Sequence, residues 1–188
     1  MRSDIAKMTG SPVLGGATTG RTLFAHLSGL SQERPANPTP WLWDCSGIEV
    51  VSASFAREAF VSMRALLRAQ RSTLAPVFVN ASADVREDLH NAFTAANDAI
   101  LVATADADGV LTDIGLLGAL DPHLASTFAL VAERGETDAK ELKEQSDAEP
   151  NAAPILQTAW NNRLAKLAEL GALVEIPRGR AKRYRVAI

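Results

Sequence analysis

The sequence predicts an α/β fold, a small mixed sheet of four or five strands with helices, followed by three helices and a two-stranded hairpin. Between residues 18 and 115, short apolar runs alternate with stretches whose apolar residues recur every three or four positions, which is typical of alternating strands and helices. After residue 120, helical patterns come first and strand-like alternation comes last. The chain of 188 residues therefore suits two small domains, which we place at 1–118 and 119–188.

In the first domain, apolar side chains such as Val85, Leu89 and Phe93 recur at helical spacing. The run SQERPANPTP at 31–40 is rich in proline and polar residues, so it predicts a loop. DADG at 106–109 predicts the turn of a hairpin. The predicted helices are 18–30, 54–70 and 82–96, and the predicted strands are 41–45, 77–79, 100–102 and 110–114.

The stretch GGATTGRT at 15–22 lies one residue away from the phosphate-binding pattern G-x-x-x-x-G-K-[ST]. Arg21 replaces the required lysine with a bulkier and more rigid side chain, and the strand before the loop is at most 11–14. We interpret Gly15, Gly16 and Gly20 as a turn into the first helix, which Thr18 or Thr19 would cap. A nucleotide-binding enzyme is the less favoured alternative.

The second domain opens with two predicted helices. Asp121 and Pro122 begin the first, and Gly135 ends it. Thr137 is predicted to cap a short second helix that reaches Leu142.

The third predicted helix carries one apolar stripe and ends at Gly171. The hairpin that follows would comprise strands at 173–177 and 183–188, joined by the turn RGRAK at 178–182. The apolar stripe consists of Ile155, Leu156, Ala159, Trp160, Leu164, Leu167 and Leu170.

Charge is distributed unevenly along a chain whose net charge is −3. Residues 1–120 carry 9 Lys+Arg against 12 Asp+Glu, residues 121–153 carry 3 against 8, and residues 154–188 carry 7 against 2. A concentrated basic segment in a mildly acidic chain is typical of contact with a polyanion, although a solvated basic tail is the alternative.

Residues 159–186, AWNNRLAKLAELGALVEIPRGRAKRYRV, resemble the recognition helix and wing of bacterial winged helix-turn-helix transcription factors. The likeness covers about the last 70 residues and is carried by Asn162-Arg163-Leu164, by Leu167 to Gly171 and by the basic hairpin that ends near Tyr184. It implies a regulator that binds double-stranded DNA, with repression as the expected activity. A homodimer is expected because one recognition helix covers a half-site.

On the face of the third helix opposite its apolar stripe, side chains suited to base edges predominate, and cations suited to phosphates lie there and on the hairpin. For any single residue a solvated surface position is the alternative. The predicted DNA-binding residues are Gln157, Thr158, Asn161, Asn162, Arg163, Lys166, Arg178, Arg180 and Lys182.

Residues 10–115 resemble STAS-like domains, a group that includes anti-sigma-factor antagonists. The likeness is carried by WDCSGIEVVSASFAREAF at 43–60, a strand, a glycine-containing turn and hydroxyl residues at a helix start. It implies phosphorylation at Ser54, although Ser52 and Ala53 replace the antagonists' Asp and middle residue, and helix capping is the alternative role for both serines. The likeness also implies a dimerisation, sensing or partner-binding role, and a protein-interaction switch is the alternative function of the whole chain.

The sequence predicts no catalytic set, cofactor or metal site. The three histidines, His26, His90 and His123, have no second ligand at metal-binding spacing. Cys45 is the single cysteine, which suits a reducing compartment and a small buried residue. No apolar run approaches the ~20 residues that span a bilayer, and MRSDIAKMTG lacks an apolar signal region. We therefore expect a cytoplasmic protein that is not an enzyme and does not enter the membrane.

Overall fold

The computed structural model describes residues 1–32, 35–148, 154–178 and 181–188. The chain divides into two compact units, Met1–Leu120 together with Ile188, and Asp121–Ala187. The predicted α/β class with a mixed sheet is confirmed.

The first unit contains most of the strands and helices that the sequence predicts, together with a strand and a helix at the N-terminus that it does not. In chain order its elements are β1 (Arg2–Asp4), α1 (Ile5–Thr9), β2 (Val13–Leu14), α2 (Ala17–Leu30), β3 (Thr39–Asp44), β4 (Val50–Val51), α3 (Ala53–Ala56), a π-helical turn (Arg57–Val61), α4 (Ser62–Ala69), β5 (Leu74–Val79), α5 (Ala83–Ala95), β6 (Ala99–Ala105) and β7 (Leu111–Gly118).

Five strands form the main sheet in the order β1-β3-β5-β6-β7. The first four are parallel, whereas β7 runs antiparallel to β6, which gives the mixed sheet. Strands β2 and β4 form a separate two-stranded parallel sheet. The central strands β5 and β6 are almost continuously buried, as expected of parallel strands covered on both faces.

Aromatic rings fill the centre of the first unit. Trp43, Phe60 and Phe78 are fully buried, and the rings of Phe60 and Phe78 meet at right angles with centroids 4.8 Å apart. Trp43 lies 5.4 Å from Phe60 and 5.3 Å from Phe78. The pairs of Phe78 with Phe60 and with Trp43 are edge-to-face, an arrangement that is favourable beyond the area it buries.

The glycines of GGATTGRT do not act together as one turn. Gly16 has φ of 80° and precedes α2 without a side-chain cap, so glycine suits this position. Gly20 lies buried inside α2, and a Cβ there would be 2.8 Å from the carbonyl oxygen of Phe55. The prediction that Thr18 or Thr19 caps the helix is wrong, because the helix begins at Ala17 and both threonines lie within its first turn.

The second unit consists of three helices and a three-stranded antiparallel sheet in the order β8-β10-β9. Phe128, Val131, Trp160 and Leu164 are among its buried residues. Its elements are α6 (Pro122–Arg134), β8 (Glu136–Thr137), α7 (Ala139–Ala148), α8 (Gln157–Glu169), β9 (Leu173–Arg178) and β10 (Ala181–Val186).

Three details of the second unit differ from the sequence-based expectations. Thr137 lies in β8, and the carboxylate of Asp138 instead accepts the N–H groups of Lys140 and Glu141 at the start of α7. Leu156 is 71% exposed and lies outside the buried stripe, because it precedes the first helical residue. The hairpin strands extend to Arg178 and begin again at Ala181, so the predicted five-residue turn is too long.

Candidate nucleic-acid interface

Helix α8 separates apolar and polar side chains onto opposite faces. Trp160, Leu164 and Leu167 are buried in the second unit. The residues predicted to read bases are exposed and share the other face, as a period of 3.6 residues dictates. Those residues are Gln157, Thr158, Asn161 and Asn162, and Lys166 lies one turn further along.

The polar groups on this face are available to a ligand. Within the described part of the chain, the side chains of Gln157, Thr158, Asn161 and Asn162 make no hydrogen bond. Asn and Gln each present a donor and an acceptor, which matches the N6 and N7 edge of adenine in the major groove. The face can therefore donate and accept hydrogen bonds without first breaking contacts of its own.

Arg163 differs from its neighbours because it is half-buried. Its guanidinium carbon lies 5.1 Å from the centroid of the Trp160 ring, within range of a cation–π contact. The structure thus holds this predicted phosphate-contacting residue against the core of its own unit.

Among the described residues, the other predicted phosphate contacts are paired with carboxylates. Lys166 Nζ lies 3.0 Å from Glu169, and Lys182 Nζ lies 3.0 Å from Glu175. The hydrogen bond from Lys182 to Glu175 raises the pKa of Lys182 above its ordinary value.

On the hairpin, Arg178 Nη2 lies 3.4 Å from an oxygen of Glu136. Arg180 lies outside the described residues.

Arg183 has a role that the sequence did not reveal. Its Nε donates to Glu136 at 2.7 Å, and its two terminal nitrogens donate to the two oxygens of Glu141 at 2.7 and 3.0 Å. It also lies 3.6 Å from Asp138. The hydrogen bond from Arg183 is the largest cause of a lowered pKa at Glu141. Arg183 thereby joins β10 to β8 and to the start of α7.

These ion pairs change what the uneven charge along the chain implies about the surface of the second unit. The acidic residues 121–153 and the basic residues 154–188 lie in one unit, and together they carry 10 Lys+Arg and 10 Asp+Glu. The net positive charge of the last segment is therefore balanced within the same unit. In the part of this unit that the structure describes, the exposed cations Lys166, Arg178 and Lys182 each lie beside a carboxylate.

In the first unit, Ser52 connects the helix α3 to the glycine loop. Its hydroxyl oxygen accepts the N–H of Phe55 at 3.3 Å and the N–H of Gly16 at 3.2 Å. Ser54 is half-buried, and its hydroxyl lies 3.3 Å from that of Ser52. Ser52 therefore caps the helix, while phosphorylation of Ser54 stays a prediction.

Arg21, at the lysine position of the phosphate-binding pattern, points toward neighbours on its own unit. Its guanidinium lies 3.5 Å from Glu58 in the π-helical turn and donates to Thr18 at 3.3 Å. The strand before the glycine loop is only Val13–Leu14, whereas a phosphate-binding loop follows a long buried strand. The local geometry thus differs from that of a nucleotide-binding loop.

Asp44 accepts hydrogen bonds from three residues of the first unit. It accepts both the backbone N–H and the hydroxyl of Ser46, the guanidinium of Arg2 and the amide of Asn80. Burial raises the pKa of Asp44, but these hydrogen bonds outweigh burial and lower it overall. This network joins the carboxyl ends of neighbouring strands and leaves Asp44 bonded on both oxygens.

The single cysteine lies in the interior of the first unit, and His90 takes part in a structural hydrogen bond there. Burial raises the pKa of Cys45 to about 12, so its thiol stays protonated at neutral pH. His90 Nδ1 accepts the N–H of Gly118. Among the described residues, no three or more His, Cys, Asp or Glu side chains are arranged to hold a metal ion.

A comparison with protein-family models finds no matching family, and a search of curated proteins finds no matching relative. No helix among the described residues is long and apolar enough to cross a membrane.

Proposed function

We propose that the second unit binds double-stranded DNA through α8 and the β9–β10 hairpin, and that the protein is a transcriptional regulator, expected to act as a repressor. The observation that carries this proposal is the exposed face of α8, on which four neutral polar side chains make no hydrogen bond within the described chain. Three helices followed by a hairpin give the element order of a winged helix-turn-helix domain, in which such a helix reads the major groove.

The basic side chains of the second unit suit contacts to phosphates, which fix the position of a protein on DNA. Lys166 follows the polar face of α8, and Arg178 and Lys182 lie on adjoining strands of the hairpin, where Lys182 is opposite Pro177. Contacts from such side chains to phosphates would fix the register of the helix, while Asn and Gln would read the bases. The first unit would supply dimerisation, sensing or partner binding.

A second candidate is a protein-interaction switch that acts through the STAS-like unit. Two observations favour it. Lys166, Arg178 and Lys182 are each paired with a carboxylate, which weakens attraction to a polyanion. In the first unit, Ser54 lies in the first turn of α3, where an added phosphate would face favourable helix N–H groups.

The salt dependence of DNA binding separates these candidates. We expect the full chain to bind a fluorescent random-sequence duplex with an affinity that falls steeply as NaCl is raised, because phosphate contacts release counterions. Replacing Arg178 and Lys182 together by alanine should flatten the log–log slope by up to about 2.

The matched control is the double variant Lys140→Ala with Lys143→Ala, which removes two cations from α7 that pair with Glu144 and Asp147. It should leave the slope close to that of the wild type. A wild-type slope near zero would contradict DNA binding and favour the protein-interaction switch.

A further inference from the structure

Two lysines that are proposed to contact DNA already form ion pairs with carboxylates. Glu169 holds Lys166 and Glu175 holds Lys182, each at 3.0 Å. Both lysine side chains are half or more exposed, so the amines are accessible to a ligand from solvent. In each pair the same ammonium group that would contact a phosphate oxygen already contacts a carboxylate oxygen.

Stability alone gives little reason for these two acids. Exposed ion pairs contribute about 0–1 kcal/mol at most sites. Glu169 is the last residue of α8, where the helix dipole disfavours a negative charge. Glu136 is a different case, because the half-buried Arg183 donates to it at 2.7 Å and it so supports the fold of its unit. Glu175 also accepts the hydroxyl of the buried Tyr184 at 3.4 Å, a hydrogen bond that glutamine can equally accept.

We propose that Glu169 and Glu175 compete with DNA phosphates for Lys166 and Lys182, and thereby reduce binding to DNA of arbitrary sequence. This inference rests on the proposed DNA-binding function. A phosphate must displace the carboxylate, or tolerate a like charge beside it, before it gains the lysine.

The competition acts unequally on the two kinds of binding. Non-specific affinity comes almost wholly from phosphate contacts, whereas specific affinity also includes hydrogen bonds to base edges. A carboxylate beside each cation lowers the free energy of both kinds of binding by the same amount, which is a larger share of the smaller, non-specific free energy. Glu169 and Glu175 would in this way make stable binding depend on the bases that Asn161, Asn162 and Gln157 read.

The test compares the full-length wild type with Glu169→Gln, Glu175→Gln and the double variant on a random-sequence 24-bp duplex. Glutamine keeps the size of the side chain and removes its charge. We expect the double variant to bind about 10-fold more tightly than the wild type at ~0.1 M NaCl, with a log–log salt slope steeper by up to about 2. Thermal unfolding, measured in parallel, should stay close to that of the wild type.

Glu144→Gln is the matched control for each single variant, since Glu144 is an exposed partner of Lys140 on α7 and its replacement changes the net charge by the same one unit. If neither single variant binds more tightly than Glu144→Gln while the wild type binds DNA, the competition is refuted and the proposed function survives. If neither the wild type nor any variant binds the duplex at low salt, both the function and this inference fail. Binding by the double variant alone would support the competition strongly.

Discussion

The two units of the chain are stabilised by different interactions. In the first unit, Trp43, Phe60 and Phe78 contact one another in a fully buried aromatic centre. In the second unit, Arg183 joins β10 to the acids of β8 and α7. The first arrangement depends on the shape and volume of apolar groups. The second depends on the ionisation state of Arg183 and of its acidic partners. Substitutions and pH should therefore affect the two units differently.

Removal of an aromatic ring from the first unit should have the largest effect. We expect Phe78→Ala to lower the free energy of unfolding by about 3–5 kcal/mol, because it deletes buried contacts and leaves a cavity. Denaturant unfolding can be followed in a Trp160→Phe background, where the fluorescence reports on Trp41 and Trp43. Val110 is 58% exposed, so Val110→Ala should change stability by less than about 0.5 kcal/mol. Equal effects of the two substitutions would contradict this account of the core.

A smaller effect is expected where α2 approaches α3. Gly20→Ala should destabilise the first unit by about 1–3 kcal/mol, because its new Cβ would meet the Phe55 carbonyl at 2.8 Å. Gly29 lies in the same helix, and a Cβ there would have no neighbour within 4 Å. Gly29→Ala should therefore stabilise by up to about 1 kcal/mol. Denaturant midpoints of the two variants should move in opposite directions, and parallel shifts would argue against the close crossing.

The smallest effect concerns ionisation in the second unit. The folded-state pKa of Glu141 lies below its ordinary value of 4.5, so its contribution is present above that pH and is lost as the pH falls through the folded value. At pH 7, Glu141→Gln should lower the melting temperature of the second unit by about 2–6 °C. The difference from the wild type should shrink below about pH 4.5.

Glu144→Gln provides the comparison for this pH series, because Glu144 forms only the exposed pair with Lys140 among its described contacts. Its melting temperature should follow that of the wild type closely across the series. A constant difference between Glu141→Gln and the wild type at all pH values would show that the Arg183 contact does not act through the charge of Glu141.

The difference between the units also explains how far the sequence could predict the fold. Periodic apolar residues indicate elements such as α5 and β6 because burial is set by neighbours three, four or two positions away. The role of Gly20 depends on Phe55, which a separate helix brings close. The local sequence around Gly20 carries no sign of this close contact, and it therefore predicts a turn at this glycine.

The candidate interface, too, could be predicted from the sequence only in part. The exposed polar face of α8 follows from helical periodicity, so the positions of Asn161 and Asn162 could be predicted from the sequence. The pairing of Arg183 with Glu136 and Glu141 joins residues more than 40 positions apart. Charge counts along the chain cannot reveal such pairs, and for that reason the basic segment suggested a more positive surface than the structure presents.

The central claim is that the exposed face of α8 contacts DNA, and NMR titration of the ¹⁵N-labelled full chain with a duplex tests it most directly. The side-chain amides of Gln157, Asn161 and Asn162 give their own signals, and Gln145, which accepts a hydrogen bond from Arg134 on α6, provides an internal reference on α7. We expect the three α8 side-chain amides to shift progressively with added duplex while that of Gln145 changes little. A duplex that leaves all three α8 amides unmoved, or shifts Gln145 as much as them, would contradict the claim.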